Sequence, residues 1–408
     1  MGIAGGPNLN QDGLVFLYDV FDQDNSYKGE PATNSQNADI SSMTQVGFDN
    51  WSCYDGSPPY HTWGTNQSKT FVTIPGPFGA SVNAMLYHNF NGGFYGPTDW
   101  GGVPNGTITA GRTYTVQGWV KAADSNSIGK TVKPYTYYSH SGGAYSAGTN
   151  YTLTDQWQLV SHTHTVQYNA TSGGNMYFFT ENSGAVKMYL TMTGVFLDES
   201  HAVQWLLGGT TRSATQGLLD VAGTTQIDLS NVSFDANAQM YFDGTNDYVD
   251  ISSAANLEIV DNVTVEAILK VNTSNLGAVK VIANKYSGTG WEFVLGSAGN
   301  FAFGGRNGDG TYYSSDSSTI IADNQYHHIV GIKTGLYWKT YVDGILKSTL
   351  TAGSIGTLYN TTAMQLGREG SYYYTAMYLN GFKVYNRALT NEEVLQNYNA
   401  TKSRFGLK

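Results

Sequence analysis

Apolar and polar residues alternate with a period of two along most of this chain. Val263, Val265, Ala267, Leu269 and Val271 fall on one parity, with Thr264, Glu266, Ile268 and Lys270 on the other. Side chains of a strand project alternately to its two faces, so this spacing predicts a strand with one face in a core. Tyr114, Val116, Gly118 and Val120 repeat the pattern with Trp119 on the opposite parity, and Met188, Leu190 and Met192 alternate with Tyr189, Thr191 and Thr193. The apolar run 14–21 predicts an N-terminal strand, followed by a polar loop from Asp22 to Ser42. Residues 238–251 read as strand, tight turn, strand: Met240 and Phe242 alternate with polar neighbours, Asp243-Gly244 and Asn246 supply the turn, and Tyr248, Val249 and Ile251 restart the strand. Asp343-Gly344 predicts a two-residue hairpin, because glycine accepts the positive φ such turns require. One helix is expected after Arg387, where Thr390 and Glu393 have the spacing of a capping box and Val394, Leu395 and Tyr398 can form a buried face. Many short strands between Gly, Asn and Ser turns predict an all-β chain of two β-sandwich domains with one short C-terminal helix.

The predicted organisation has four parts. Residues 1–42 form an N-terminal strand and loop, 43–200 a sandwich, 201–237 a connector and 238–408 a second sandwich. In the first sandwich, Arg112-Thr-Tyr-Thr-Val-Gln-Gly-Trp-Val-Lys-Ala122, the segment from Leu153 through Trp157 to His164, and that from Lys187 to Leu197 resemble the carbohydrate-binding modules appended to xylanases and related glycanases. In the second, the 238–251 hairpin, Tyr326-His-His, Val342-Asp-Gly and Arg387-Ala-Leu-Thr-Asn-Glu-Glu follow in the order seen in laminin-G-like, concanavalin A-type jelly rolls. That resemblance implies a jelly-roll fold whose commonest task is sugar binding. The strand at 14–21 with the loop Asn25–Gly29 looks like the N-terminal edge of the same laminin-G-like unit in tailed-phage structural proteins. The sandwich at 43–200 is then an insertion; the alternative is an arm that docks elsewhere, for instance on a neighbouring subunit.

Composition narrows the function. Only 13% of residues are charged, the net charge is −10, and glycine and tyrosine number 49 and 30. No basic stripe is present to meet phosphates, so nucleic acid and anionic membrane surfaces are disfavoured as partners. No apolar run approaches the roughly 18 residues that would insert in a bilayer. The lone Cys53 forms no intrachain disulfide and reads as a small core residue. Met1–Asn8 lacks the basic start and apolar run of a signal peptide. A sugar-binding sandwich without an export signal suits a virion protein made in the host cytoplasm. The expectation is a homo-oligomeric bacteriophage surface protein (tail fibre, head fibre or capsid decoration) adhering to host surface glycans or to neighbouring virion structural proteins. The alternatives are a secreted cellular lectin and a non-catalytic part of a glycan-degrading enzyme.

Catalysis is not expected. Glycosidic cleavage usually needs two carboxylates on one cleft; Glu266 and Glu292 stand alone on their strands, and no Glu-x-Asp-x-(x)-Glu triplet or Gly-x-Ser-x-Gly elbow occurs. His162 and His164 share a strand face, which suits a solvent-facing polar row better than zinc or nickel without a clustered third ligand. His327 and His328 point to opposite faces. No cofactor is expected; the hairpin set Asp243, Asn246 and Asp247 is the calcium candidate, against the ordinary reading of a turn capping its own backbone. Aromatics carry the sugar signal, because pyranose C–H faces pack on indole and phenol rings. The carbohydrate-binding candidates are Tyr54, Tyr60, Trp63, Tyr95, Trp100, Tyr135, Tyr137, Tyr138, Tyr312, Tyr313, Tyr372 and Tyr373, with Phe94 and Tyr374 beside them. Trp119, Trp157 and Trp291 lie within strand patterns and are expected in cores.

Overall fold

The computed structural model describes residues 9–22, 25–33, 35, 52–54, 67–90, 92–103, 108–138, 144–171, 174–199, 201–202, 204, 206, 210–235 and 239–407, without the side chains of 52–54, 92–103, 144–145, 174–177, 179 and 181–183. The chain forms two compact units, residues 1–31 with 213–408 (unit 1) and residues 32–212 (unit 2). Each unit is built on a pair of large antiparallel sheets, and unit 2 also holds a two-stranded one.

In unit 1, one sheet runs Ser233–Phe234, Met240–Asp243, Ala376–Tyr385, Val263–Val271, Tyr326–Thr334, Tyr337–Val342, Ile345–Thr351. Leu14–Asp19 joins it by pairing antiparallel with Ala376–Tyr385. The other sheet runs Ile227–Asn231, Tyr248–Ile251, Met364–Leu366, Lys280–Ser287, Thr289–Leu295, Asn300–Arg306, Tyr312–Ile320. The stretch 201–237, expected as a connector, therefore contributes two strands to unit 1. It also contributes Thr211–Arg212, which pairs with Ala32–Thr33 in unit 2. Between the sheets of unit 1 lie Phe16, Val265, Trp291, Phe293, Phe303, Trp338 and Phe382, all buried. Gly331 is required there: a Cβ would stand 2.3 Å from the Phe303 ring.

The C-terminal helix α1 (Asn391–Phe405) covers the outer face of the first sheet. Thr390 and Glu393 close the capping box, and Gly406 ends the helix in the left-handed conformation at φ 63°. Val394 and Tyr398 are buried as expected, whereas Leu395 is exposed; Asn397, Thr401 and Phe405 complete the buried face. The even-numbered residues of Val263–Val271 turn toward this helix, so nearly the whole strand is buried. Under the helix, Glu266 accepts from Lys383 Nζ (2.9 Å) and from Asn397 Nδ2 (2.9 Å), with His328 Nε2 3.7 Å away. Burial works against ionisation of Glu266, but Lys383, His328 and Asn397 outweigh it and hold the carboxyl at about 2. Glu266 does not stand alone; it is the anion of a buried structural network. The Asp343-Gly344 turn has both φ values positive, 53° and 76°. The Asp343 carboxylate accepts from the His328 backbone N–H at 2.9 Å and pairs with His327 at 2.9 Å.

Unit 2 packs a five-stranded sheet, Gln158–Thr165, Thr113–Ala122, Val186–Leu197, Ser81–Asn89, Gln67–Pro75, on a six-stranded one. The latter runs Tyr151–Thr152, Thr131–Tyr138, Gly174–Ser183, Gly92–Val103, Ser52–Tyr54, with Ala144–Ala147 also on Thr131–Tyr138. Its core holds Met85, Tyr87, Val116, Val120, Val132, Phe178, Met188 and Leu190. Gly118 leaves room for Phe178 of the opposite sheet, whose ring would be 2.9 Å from a Cβ there. The expected alternation of Val186–Leu197 breaks at Met192, which takes φ 48° where the register shifts between Thr191 and Gly194.

Candidate functional site

In unit 2, the parity that sends Val116, Gly118 and Val120 inward sends Trp119 and Lys121 to the outer face of the five-stranded sheet. Trp119 is half-buried, not a core residue, and Phe78 meets its ring edge-on at 5.3 Å while remaining 58% exposed. Register places Lys121 opposite Tyr189. Trp157, just before the neighbouring edge strand, is half-buried too and donates its indole N–H to the Pro75 carbonyl at 3.0 Å. Lys121 Nζ lies 5.0 Å from the Trp157 ring and 5.5 Å from that of Tyr189, and the two rings are 6.4 Å apart. Three aromatic rings and one ammonium thus share one surface. Such a surface offers C–H stacking together with hydroxyl-directed donors. The expectation that Trp119 and Trp157 are core residues is corrected by this placement; Trp291 is buried in unit 1 as expected.

On the six-stranded sheet, Tyr135 and Tyr137 face outward and half-buried, whereas Val132, Pro134, Thr136 and Tyr138 are buried. Tyr138 is therefore a core ring: its hydroxyl accepts from the Gln167 N–H at 3.3 Å. Lys133 Nζ is 5.9 Å from the Tyr135 ring. Tyr54, Tyr95 and Trp100 lie on strands of this sheet, with Tyr95 in register with Thr180; their side chains, like that of Phe94, are outside the description. Tyr60 and Trp63 lie outside the described residues. His162 and His164 do not form a solvent-facing row. Their rings stack at 5.5 Å, His162 contacts the Ser146 hydroxyl at 2.7 Å, and His164 contacts Thr136 at 3.2 Å and stacks on Tyr138. Burial and the neighbouring His162 push His164 down to about 4.

In unit 1, the outer face of the seven-stranded sheet carries a cavity of about 330 Å³. Thr289–Leu295 buries Trp291, Phe293 and Leu295 in the core, so Glu292 and Val294 point the other way. Val281 and Val279 extend the apolar floor, and Tyr312, Tyr373 and Glu369 close the walls. Glu292, only 6% exposed, accepts from the Tyr312 hydroxyl. Burial raises the Glu292 carboxyl, and the nearby Glu369 raises it further against the pull of Tyr312 and Arg306; burial raises Glu369 as well. Gly304 leaves room both for the adjacent strand and for Tyr312 to lie across the sheet, since a Cβ there would come 2.6 Å from the Tyr313 carbonyl oxygen and 2.7 Å from the Tyr312 hydroxyl. Glu292 is alone on its strand, as the spacing implied, but the loop after Gly367 brings Glu369 to it. Among the tyrosine candidates, Tyr312, Tyr372 and Tyr373 are exposed. Tyr313 turns inward against the core, its hydroxyl bonded to Asp309 at 2.8 Å, and Tyr374 is half-buried.

At the calcium candidate, the carboxylates cap their own turn. Asp243 Oδ1 accepts from the N–H groups of Thr245 (2.7 Å) and Asn246 (3.1 Å), and Asp247 Oδ2 accepts from Ser233 Oγ and the Asp243 N–H at 3.0 Å. Among the described residues, no group of three or more His, Cys, Asp and Glu side chains is placed to hold a metal ion.

Two family models match, one in each unit. Residues 243–395 match the concanavalin A-like lectin/glucanases superfamily, and residues 96–184 match a carbohydrate binding domain. Trp119 and Trp157 fall within the second match, and all the cavity-lining residues within the first. Solved structures with partial likeness include the binding domain of Paraclostridial Mosquitocidal Protein 1, 18% identical over 45% of this chain and 49% of that one, with a TM-score of 0.41. The botulinum neurotoxin serotype D binding domain is 16% identical over 46% and 49%, with a TM-score of 0.38. The serotype D ligand-binding domain in complex with N-acetylneuraminic acid is 17% identical over 46% and 49%, with a TM-score of 0.39. The chain spans about half the length of these structures. A search of curated proteins finds no match.

Proposed function

We propose that this chain is a non-catalytic glycan-binding adhesin whose unit 2 holds polysaccharide on the outer face of its five-stranded sheet. The observation that carries the reading is the Trp119, Trp157 and Tyr189 surface around Lys121, in a unit that matches a carbohydrate binding domain. Indole and phenol faces offer the sugar ring large contact area with few rotors to freeze. The adhesin is displayed on the virion of a tailed bacteriophage, where multiple copies convert weak single-site affinity into avidity. Support for that setting is the laminin-G-like order of landmarks joined to an N-terminal strand, Leu14–Asp19, that pairs within unit 1.

Affinity electrophoresis and calorimetry against a panel of bacterial envelope and plant polysaccharides test the binding. Trp157→Ala and Trp119→Ala are each expected to weaken retention about tenfold or more while leaving the fold intact. Unchanged retention in both variants, or release of reducing ends from a retained polysaccharide, refutes the reading. Immunogold labelling of phage particles tests the setting separately.

A further inference from the structure

We propose that the cavity of unit 1 is a second binding site, for a sugar ring that carries a free protonated amine. It rests on the glycan-binding reading only for the ring; the match to an ammonium stands on the cavity itself. Glu292 and Glu369 both reach into it, and none of its lining residues is basic. Arg306, whose charge reaches Glu292, and Arg368, next to Glu369 in the chain, are both held by other groups. Arg306 donates to Tyr286 Oη and to the Gly310 carbonyl, each at 2.6 Å, and Arg368 lies over the Tyr248 ring and beside Asp250. Two carboxyl groups in one apolar-floored space disfavour each other's ionisation. Burial and the proximity of Glu369 raise Glu292, against Tyr312 and Arg306. An ammonium resolves that conflict, since it brings the missing positive charge and three donors to two carboxylates. A neutral hydroxyl brings a donor but no charge. Calcium needs about six to eight oxygen ligands, well beyond two glutamates. The valine floor and the flanking Tyr312 and Tyr373 rings then fit the apolar faces of a sugar ring, and a volume of 330 Å³ suits one or two residues of an oligosaccharide.

The walls are held in place before any ligand arrives. Glu369 and Tyr372 exchange backbone hydrogen bonds at 3.1 and 3.0 Å, the Gly370 N–H donates to Gln365 Oε1 at 2.9 Å, and Asn284 Nδ2 donates to the Arg368 carbonyl at 2.6 Å. Tyr373 adopts φ 59°, a left-handed conformation uncommon for a bulky side chain, fixed by the Val281 N–H on its carbonyl at 2.9 Å. Strain of this kind persists where surrounding contacts over-determine it, and it clusters at ligand clamps.

The test is isothermal titration of the full chain with glucosamine oligomers, with their fully N-acetylated counterparts, in which a neutral and bulkier amide replaces the charged amine, and with glucose oligomers of the same linkage, in which a small neutral hydroxyl does. The amine form is expected to bind at least about tenfold more tightly. Glu292→Gln and Glu369→Gln, which keep shape and remove charge, are each expected to cost about tenfold or more. Gly304→Ala, which crowds the Tyr313 backbone carbonyl as well as the Tyr312 hydroxyl, is expected to weaken binding too. Affinity is expected to fall on acidification as the carboxyl groups take up protons, and again at high pH as the amine loses its own. Equal affinity for the acetylated or the glucose oligomers overturns the proposal, as does unchanged affinity in both glutamine variants or cleavage of the oligomers. Trp157→Ala distinguishes the two sites: it is expected to leave amine binding intact, and its abolishing that binding moves the ligand to unit 2 and overturns the cavity assignment.

Discussion

The two sandwiches are built on the same plan, antiparallel sheets closed over a core of alternate residues, yet their outer faces differ. In unit 1, helix α1 converts one outer face into a second interior. Strands beneath it are buried on both sides, and each polar group there must find a partner. Glu266, Lys383 and Asn397 do so with one another. In unit 2, the corresponding alternate positions of Thr113–Ala122 place Trp119 and Lys121 at a half-buried surface. The lesson is that residue type alone does not locate a side chain in a sandwich. Parity states which face it takes, and what covers that face decides whether it serves the core or a ligand.

The largest effect that would sharpen this contrast is expected from Lys383→Met. Removing the ammonium leaves the Glu266 carboxylate buried without its main counter-charge, which costs about 3–5 kcal/mol. Separate cores predict separate unfolding transitions, and only that of unit 1 is expected to move in differential scanning calorimetry. Adding Glu266→Gln is expected to recover much of the loss. An equal downward shift of both transitions would break the contrast.

Acidification is expected to act on the units in opposite order. His164 is a base held down at about 4 by burial and by His162, so the unfolded chain takes up its proton first. Its contribution is whole above the ordinary histidine value of 6.5 and is lost as pH falls toward 4, on the order of 2 kcal/mol after discounting for its partial exposure. Glu266, held at about 2 against the ordinary 4.5, protects unit 1 until pH falls below that ordinary value, and its contribution is lost between there and 2. His327 is raised above its ordinary value by Asp343 and Asp323 against the cost of burial, so its stabilisation is present below 6.5 and lost as pH rises. Melting curves at pH 7 and pH 5 are thus expected to show unit 2 weakening while unit 1 holds. His164→Phe is expected to flatten the slope of unit 2; an unaltered slope would refute the assignment.

Much of the fold was legible because it is written in short-range pattern. Period-two alternation located Val263–Val271, Asp343-Gly344 chose its hairpin, and Thr390 with Glu393 capped the helix. The partition of Tyr137 from Tyr138, and of Tyr312 from Tyr313, follows from the same alternation, although all four entered the candidate set by type. Glu369 could not be found this way. It reaches Glu292 from a loop 77 positions along the chain, and no local spacing records that meeting. The strand Ile227–Asn231 was missed for a related reason: it is short, and its pairing partner, Tyr248–Ile251, lies beyond the opening hairpin strand. His162 and His164 share a face as their spacing requires, but which face was decided by Tyr138 and Thr136 across the sandwich.

The smallest expected effect on stability bears most directly on how the outer face of unit 2 is read. Truncating a core tryptophan such as Trp291 costs about 3–5 kcal/mol, because a buried indole leaves a cavity that the surrounding rings cannot fill. Trp119 differs in its surroundings, since Phe78, which meets its ring at 5.3 Å, is itself largely exposed. Water can take the place of its ring, so Trp119→Ala is expected to cost about 1 kcal/mol or less. Urea denaturation followed through the unit 2 transition measures it. A midpoint shift as large as that of a core truncation would mean that Trp119 holds the sandwich together. A small shift alongside lost polysaccharide retention would mean that the ring is kept at the surface for its ligand, because folding alone gives little reason to hold an indole there.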